Sequence, residues 1–204
     1  MTPGMKRGLA ILVAGGFFLL AAIAIGWVQQ RVAPPPAADT GSALIGGAFA
    51  LVDENGRTVT DQTYRGKWLL VFFGFTHCPD VCPTALNDIS LVLDGLGARA
   101  GSVLPLFVTV DPERDTPEVM KDYTNAFHPG IVGLTGTPEQ IAGVAKVYRV
   151  YYKKAPQGED YTMDHSGITY VMTPDGRFAT HFSPRTGIDT MVDKLRGLVD
   201  GKRP

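Results

Sequence analysis

The feature that most constrains the fold is an apolar run that leads directly into the chain's only two cysteines. Residues 68–75 read Trp-Leu-Leu-Val-Phe-Phe-Gly-Phe, a pattern that predicts a buried strand. Cys78 and Cys82 follow at once, and Pro83 fits the first turn of a helix. The sequence therefore predicts two soft sulfur ligands at a strand-to-helix junction. Such a pair can bind a thiophilic metal or cycle between dithiol and disulfide.

Strand and helix patterns alternate along the rest of the chain. The predicted elements are a hairpin around Asn55-Gly56, strand 68–75, helix 83–96, strand 103–110, a helix opening at 115–118, a short strand at 131–134, a helix opening at 137–139, an extended segment at 147–152, a hairpin of strands 168–172 and 177–181, and helix 186–199. This order predicts an α/β fold with helices on both faces of a central sheet. A dithiol at its first strand-to-helix junction resembles the thioredoxin-like folds, so we expect a thioredoxin-like three-layer fold with a central mixed sheet.

The N-terminal segment predicts a membrane anchor. Residues 9–28 carry no charge, and a helix of that length spans about 30 Å, roughly the hydrocarbon core of a bilayer. Lys6 and Arg7 favour a cytoplasmic N-terminus. The alternative is a cleaved signal peptide, but its apolar region is usually shorter, roughly 7–15 residues, and the prolines at 34–36 make a poor cleavage site. The predicted parts are a cytoplasmic tail (1–8), a transmembrane anchor (9–28), a Pro/Ala-rich tether (29–44) and one domain (45–204).

This topology predicts a single-pass protein of the inner membrane, with its domain in the periplasm if the cell is bacterial. That compartment permits disulfides, but two cysteines are too few for a disulfide scaffold. The cysteines are therefore expected to have a chemical role rather than to form a structural disulfide. The formal net charge of −1 provides no excess of basic residues of the kind that binds nucleic acid. The chain also lacks a phosphate-binding glycine loop and a nucleophile elbow.

The spacing of the cysteines leaves both chemistries open. Residues four apart on a helix share a face, with Cβ atoms about 5–6 Å apart, so Cys78 and Cys82 can bind one ion or close a disulfide. A helix N-terminus favours the thiolate in either case. Dithiol oxidoreductases typically use C-x-x-C, and the extra residue here widens the loop enough to admit an ion.

A histidine supplies the feature that favours metal binding. His165 lies in Met-Asp-His-Ser-Gly, residues 163–167, immediately before the predicted strand 168–172. In thioredoxin-like folds the turn before that strand faces the dithiol and usually carries a cis-proline, which this chain lacks. An imidazole facing two thiolates makes a three-coordinate soft site that suits Cu(I), and it accepts Cu(II) if an oxygen ligand joins. The alternative is that His165 caps a turn or hydrogen-bonds Asp164.

Three blocks in order resemble the Sco/SenC family. They are residues 75–83 (Phe-Thr-His-Cys-Pro-Asp-Val-Cys-Pro), residues 110–117 (Val-Asp-Pro-Glu-Arg-Asp-Thr-Pro), and residues 164–166 (Asp-His-Ser) with Tyr170 following. The anchor and tether are also similar to those of the family. The resemblance implies a membrane-tethered, thioredoxin-like copper protein that helps assemble the binuclear copper centre of cytochrome c oxidase. It implies the copper ligands Cys78, Cys82 and His165.

Three aspartates are candidates for supporting the ligands. Asp80 lies between the cysteines and either shapes the loop or hydrogen-bonds a ligand. The resemblance makes Asp111 an outer-sphere or weak oxygen ligand, against the simpler interpretation that it caps the Pro112 turn. Asp164, beside His165, is the third. Zinc is the main alternative metal, and it would need a fourth ligand from Asp80 or Asp111.

Three functions compete at this point. The first is a metallochaperone that passes copper to the copper-accepting subunit of cytochrome c oxidase, with another copper chaperone or a thiol reductant as a further partner. The second is a thiol–disulfide oxidoreductase in which Cys78 attacks and Cys82 resolves, reducing the oxidase's own copper-binding cysteines. The third is a redox or copper sensor. Metal-free thiols in an oxidising compartment are expected to form a Cys78–Cys82 disulfide.

Overall fold

The computed structural model describes residues 45–158 and 160–201. The predicted tail (1–8), anchor (9–28) and tether (29–44) lie outside these residues and stay predictions. Within the described ranges, no helix has the length and apolar character needed to cross a bilayer.

The described residues form nine strands and four α-helices. The strands are β1 (Ala50–Asp53), β2 (Thr58–Thr60), β3 (Trp68–Gly74), β4 (Val103–Thr109), β5 (Val132–Thr135), β6 (Tyr152–Gln157), β7 (Asp160–His165), β8 (Thr169–Met172) and β9 (Phe178–Phe182). The helices are α1 (Val81–Leu96), α2 (Pro117–Asn125), α3 (Pro138–Tyr148) and α4 (Ile188–Val199).

Seven strands form one sheet in the order β2-β1-β5-β4-β3-β8-β9. The β3–β4 and β4–β5 pairs are parallel, whereas the other neighbours are antiparallel, so the predicted mixed sheet is confirmed. Strand β3 is hydrogen-bonded on both sides, and its residues from Leu69 to Gly74 are buried. This central position explains its uninterrupted apolar sequence.

Helices cover both faces of the sheet, as predicted. Successive residues of a strand point to opposite faces. On one face of β3, the position of a Cβ on Gly74 would lie 2.6 Å from Sγ of Cys82 in α1 and 3.2 Å from the ring of Phe72. On the other face, the ring of Phe73 packs at 5.4 Å from that of Tyr148 in α3. The sheet therefore lies between α1 and α3 in three layers.

The predicted helix starts at 115–118 and 137–139 are confirmed by their caps. Thr116 and Thr137 accept hydrogen bonds from the backbone N–H groups of Val119 and Gln140, and a proline follows each cap. A side-chain acceptor at this position satisfies an N–H group that the helix itself leaves free.

The prediction of an extended segment over 147–152 is wrong. Helix α3 continues to Tyr148, and Arg149 ends it in a left-handed conformation with φ 56° and ψ 36°. Tyr148 is buried against the sheet, whereas Tyr151 is 59% exposed, so the tyrosines do not form one packed strand. Buried contacts on the helical face outweigh the β-propensity of the tyrosines.

The hairpin of β6 and β7 was not predicted. It forms a separate two-stranded sheet, paired from Tyr152↔His165 to Gln157↔Asp160. Strand β6 reads Tyr-Lys-Lys-Ala-Pro-Gln and has no buried residue, so it lacks the alternating apolar pattern by which a half-buried strand is recognised. The placement of this hairpin nevertheless determines the geometry of the site, because His165 is the last residue of β7.

Candidate metal centre

The two cysteines lie at the start of α1, as their sequence position predicts. The helix begins at Val81, so Cys82 is in its first turn, and Cys78 lies in the loop before it. Cys82 is fully buried and Cys78 partly exposed, and both are free thiols. The backbone N–H of Cys82 donates to Sγ of Cys78 at 3.4 Å. This contact ties the Cys78 sulfur to the first turn of α1.

Space for the buried sulfur depends on Gly74 at the end of β3. A Cβ on this glycine would lie 2.6 Å from Sγ of Cys82 and 2.9 Å from the ring of Phe107. Both distances are shorter than atoms in contact allow, so any larger side chain displaces the sulfur or the ring. The glycine thus lets Cys82 lie against the backbone of the central strand.

His165 faces Cys82 from the end of β7, rather than from the turn in which it was predicted. Its Nε2 lies 3.4 Å from Sγ of Cys82, and its Nδ1 lies 3.2 Å from the carbonyl oxygen of Ser166. A carbonyl can only accept, so Nδ1 donates and Nε2 directs its lone pair at the sulfur. The rings of Phe72 and Phe75 meet the imidazole edge-on at 6.2 and 5.8 Å and fix its plane.

Ligand atoms of Cys78, Cys82 and His165 all lie within 4.8 Å of one another. Within residues 45–158 and 160–201, this is the one group of three or more His, Cys, Asp or Glu side chains that meets such a geometry. The structure therefore brings the imidazole to the two sulfurs, although His165 lies 83 residues after Cys82 in the sequence.

Burial sets the protonation of the site. It raises the pKa of the Cys82 thiol, with an opposing contribution from the backbone N–H of Phe75 and a further rise from the neighbouring Cys78. Burial also lowers the pKa of His165, against the hydrogen bond to Ser166. At neutral pH the imidazole is neutral and free to ligate, whereas Cys82 keeps its proton until a cation replaces it.

A buried carboxylate that sequence reasoning missed holds the cysteine loop. Asp115 is fully buried and accepts from the Thr76 backbone N–H at 3.1 Å, the Thr76 hydroxyl at 2.6 Å and the Thr109 hydroxyl. Burial raises its pKa, and these hydrogen bonds oppose the rise. The sequence suggested only a helix start here, since Asp115 and Thr116 are both capping residues. The cap is Thr116, which leaves Asp115 to fix the loop two residues before Cys78.

The three predicted supporting aspartates have different surroundings. Asp80 is exposed at the N-terminus of α1 without a side-chain capping bond, and Asp164 is exposed on β7, where its charge opposes the lowering of the His165 pKa. Asp111 is 2% exposed, and its carboxylate accepts from the guanidinium of Arg114 and from the Tyr161 hydroxyl at 2.9 Å. None of the three belongs to the compact ligand group found in the described residues.

The match to a family model decides the affiliation of the chain. The SCO1/SenC model matches residues 37–200, which include both cysteines, Asp115 and His165. The chain belongs to the SCO1/SenC family. The sequence resemblance noted above is thereby confirmed over almost the whole domain.

Curated relatives and solved structures agree with this affiliation. The chain is 42% identical over 205 aligned residues to the mitochondrial SCO2 homolog of Bos taurus, covering 95% of this chain and 76% of the relative. It is 40% identical over 167 residues to the mitochondrial SCO1 homolog 1 of Arabidopsis thaliana, but spans only 50% of that protein's length. The structure of Bradyrhizobium japonicum ScoI with copper bound is 50% identical, with a TM-score of 0.70, covering 74% of this chain and 98% of that one.

Proposed function

We propose that this protein is a membrane-tethered copper metallochaperone that delivers copper for assembly of the binuclear copper centre of cytochrome c oxidase. The observation that carries the proposal is the convergence of Cys78, Cys82 and His165 within 4.8 Å. Two thiolates and one imidazole form a soft donor set that suits copper. Copper bound to the Bradyrhizobium relative, which is half identical in sequence, supports this choice of metal.

The exposure of the ligands suits a site that must release its ion. Cys82 is fully buried, whereas Cys78 and His165 are partly exposed. A ligand from a partner can approach the ion on the side of Cys78 and replace the protein's ligands one at a time. Cys82, which is buried, would be the last ligand to dissociate. Each replacement keeps the copper bound to sulfur or nitrogen, so the ion is never released into water.

Proton movement accompanies loading. Since burial raises the pKa of Cys82, copper binding expels the Cys82 proton, and unloading returns it. His165 needs no such exchange, because its pKa is lowered and its Nε2 already carries the lone pair. The buried sulfur is therefore stable in two states, as a neutral thiol without copper and as a thiolate with it.

The test is transfer between purified proteins. Full-length protein in detergent, loaded with copper under anaerobic conditions, is mixed with the copper-free, reduced copper-accepting domain of the oxidase. We expect about one copper per chain at the start and its appearance in the acceptor at the end, measured by metal analysis after separation. A loaded protein that retains its copper beside a competent acceptor, or a chain that binds no copper, contradicts the proposal.

A second candidate, thiol–disulfide exchange, is favoured by the hydrogen bond from the Cys82 N–H to Sγ of Cys78. A Cys78 thiolate would attack a target disulfide, and Cys82 would resolve the mixed disulfide, leaving a reduced target dithiol and an oxidised pair here. Stoichiometric reduction of a protein disulfide by metal-free, reduced protein, with the His165→Ala variant equally active, would support this function instead. The raised pKa of Cys82 predicts slow resolution and favours the chaperone.

A further inference from the structure

The hairpin of β6 and β7, which carries His165, is separate from the seven-stranded sheet and its four helices, which together are called the body of the protein. Within the described residues, β6 and β7 pair with each other and with no strand of the seven-stranded sheet. Of its twelve strand residues only Met163 is buried. A cavity of about 170 Å³ lies between the hairpin, the loop after β4 and the start of α3. The apolar contacts of the hairpin with the core are limited to Met163 and the partly buried Tyr152 and Tyr161, so polar contacts also help to set its position.

Those contacts converge on one turn of the body, residues 111–115. The carboxylate of Asp111 accepts from the hydroxyl of Tyr161 on β7. The guanidinium of Arg114 binds Asp111, donates from Nη1 to the carbonyl oxygen of Tyr161 at 3.2 Å, and lies 3.8 Å from the centre of the Tyr161 ring. Lys154 covers the same ring at 3.8 Å. Tyr161 is thus held at its backbone, its ring and its hydroxyl.

The same turn also holds the cysteine loop. Backbone N–H groups of Arg114 and Asp115 both donate to the carbonyl oxygen of Asp111, at 3.2 and 3.0 Å, so the turn is internally fixed. Its last residue, Asp115, binds Thr76 at the start of the loop that carries Cys78. One short turn therefore contacts both segments that supply metal ligands.

We propose that Asp111 and Arg114 are positioning residues, which seat Tyr161 and so hold His165 at ligating distance from the cysteines. The proposal rests on the proposed function, because it concerns the same copper ligands. With the hairpin seated, copper has two sulfur ligands and one nitrogen ligand. With the hairpin released, the two sulfurs remain on the body and the imidazole withdraws. The turn 111–115 thereby determines whether the site offers three ligands or two.

Arg114 itself supports a positioning role. Its side chain is 17% exposed, and its Nη2 is buried without a hydrogen-bond partner among the described residues. A buried unpaired donor costs stability, whereas the other donors of this guanidinium bind both the turn and the hairpin. Its Cζ also lies 6.0 Å from the ring centre of Phe75, which contacts the imidazole of His165.

The test compares two tyrosine variants on the same hairpin. Tyr161→Phe removes the hydroxyl bound to Asp111 and keeps the ring. Tyr152→Phe is the matched control, because the Tyr152 hydroxyl makes no side-chain hydrogen bond in the described residues. Arg114→Leu is a stronger second variant. All are made in the full-length protein, and unchanged amide exchange in the central sheet shows that each remains folded.

Three readouts are required. Amide hydrogen exchange of residues 152–165 in metal-free protein should be faster in Tyr161→Phe than in the parent and unchanged in Tyr152→Phe. X-ray absorption of the copper-loaded protein should show a reduced nitrogen contribution and an unchanged sulfur contribution. Copper affinity should fall by roughly tenfold or more, as is typical when a group that orients a metal ligand is lost.

These readouts distinguish a failure of the positioning role from a failure of the proposed ligand set. If hairpin exchange and nitrogen ligation in Tyr161→Phe and Arg114→Leu equal those of the parent, the positioning role is overturned. Faster exchange with unchanged nitrogen ligation also overturns it, because the hairpin would then not control the ligand. If the parent itself shows no nitrogen ligand, the proposed ligand set fails instead, and the exchange comparison still reports whether the turn seats the hairpin.

Discussion

The body of the protein and its β6–β7 hairpin contribute to the site in different ways. The body supplies Cys78 and Cys82 from a helix packed on the central strand, with the buried sulfur against Gly74. The hairpin supplies His165 and contacts the body mainly through polar groups around Tyr161. The sulfurs are therefore fixed by the packing that fixes the fold, whereas the imidazole is fixed by a few separable contacts. Changes in the body should disturb both the fold and the site, and changes in the hairpin should disturb the site alone.

The largest effect is expected from removing the buried sulfur. Cys82→Ser replaces a soft ligand by a hydroxyl that binds copper poorly, so we expect a loss of affinity well beyond the roughly 10–100-fold typical of groups that only orient a ligand. Competition with a chromophoric Cu(I) chelator measures it. The exposed Asp80→Asn variant in the same loop is the control and should bind copper as the parent does, because Asp80 makes no side-chain capping bond. A Cys82→Ser protein with near-parental affinity would refute the role of this sulfur.

A smaller effect, on both fold and site, is expected at Gly74. In Gly74→Ala the new methyl meets Sγ of Cys82 at 2.6 Å and the Phe107 ring at 2.9 Å, so one of them must move. Overpacking of this kind typically lowers the free energy of unfolding by about 1–3 kcal/mol, which chemical denaturation measures. Copper affinity should fall in the same variant.

The matched control for this change is Gly143→Ala in α3. A Cβ there would meet no atom within 4 Å, and alanine is the better helix former, so stability should be unchanged or raised. If Gly74→Ala is as stable as the parent and binds copper equally well, the sulfur is not confined by the central strand as described.

The smallest effect is a dependence on pH. Burial raises the pKa of Cys82, so copper binding near neutral pH must release at least the proton of this thiol. Burial lowers the pKa of His165 below its ordinary value, so above about pH 7 the imidazole is already neutral and releases none. Affinity should therefore rise with pH by about tenfold per unit for each proton released.

Calorimetric titrations in buffers of different ionisation enthalpy count the protons directly. The His165→Ala variant should release the same number as the parent above about pH 7, since the imidazole is neutral there. A parent protein that releases no proton on binding copper would show that Cys82 is already a thiolate, against the burial described for it.

The body could be predicted from sequence because its elements have local signals. The uninterrupted apolar run of β3 predicted a buried central strand, and Thr-Pro pairs predicted the starts of α2 and α3. The position of the cysteines followed from the same local pattern. His165 was identified through resemblance to thioredoxin-like folds, since no local pattern shows which histidine faces the dithiol.

The hairpin and its attachment could not be predicted in this way. Strand β6 has no buried residue and contains two lysines and a proline, so its sequence resembles a loop. Asp115 and Arg114 are recognisable only through their partners, because Thr76 and Tyr161 lie 39 and 47 residues away in the chain. Contacts at such separation leave no periodic pattern, and only the folded structure brings them together.

The most direct test of the account is X-ray absorption of the copper-loaded, full-length protein and its His165→Ala variant. The parent should show two sulfur ligands and one nitrogen ligand of imidazole type, and the variant should keep both sulfurs and lose the nitrogen. A variant whose spectrum and copper affinity match those of the parent would contradict the three-ligand site.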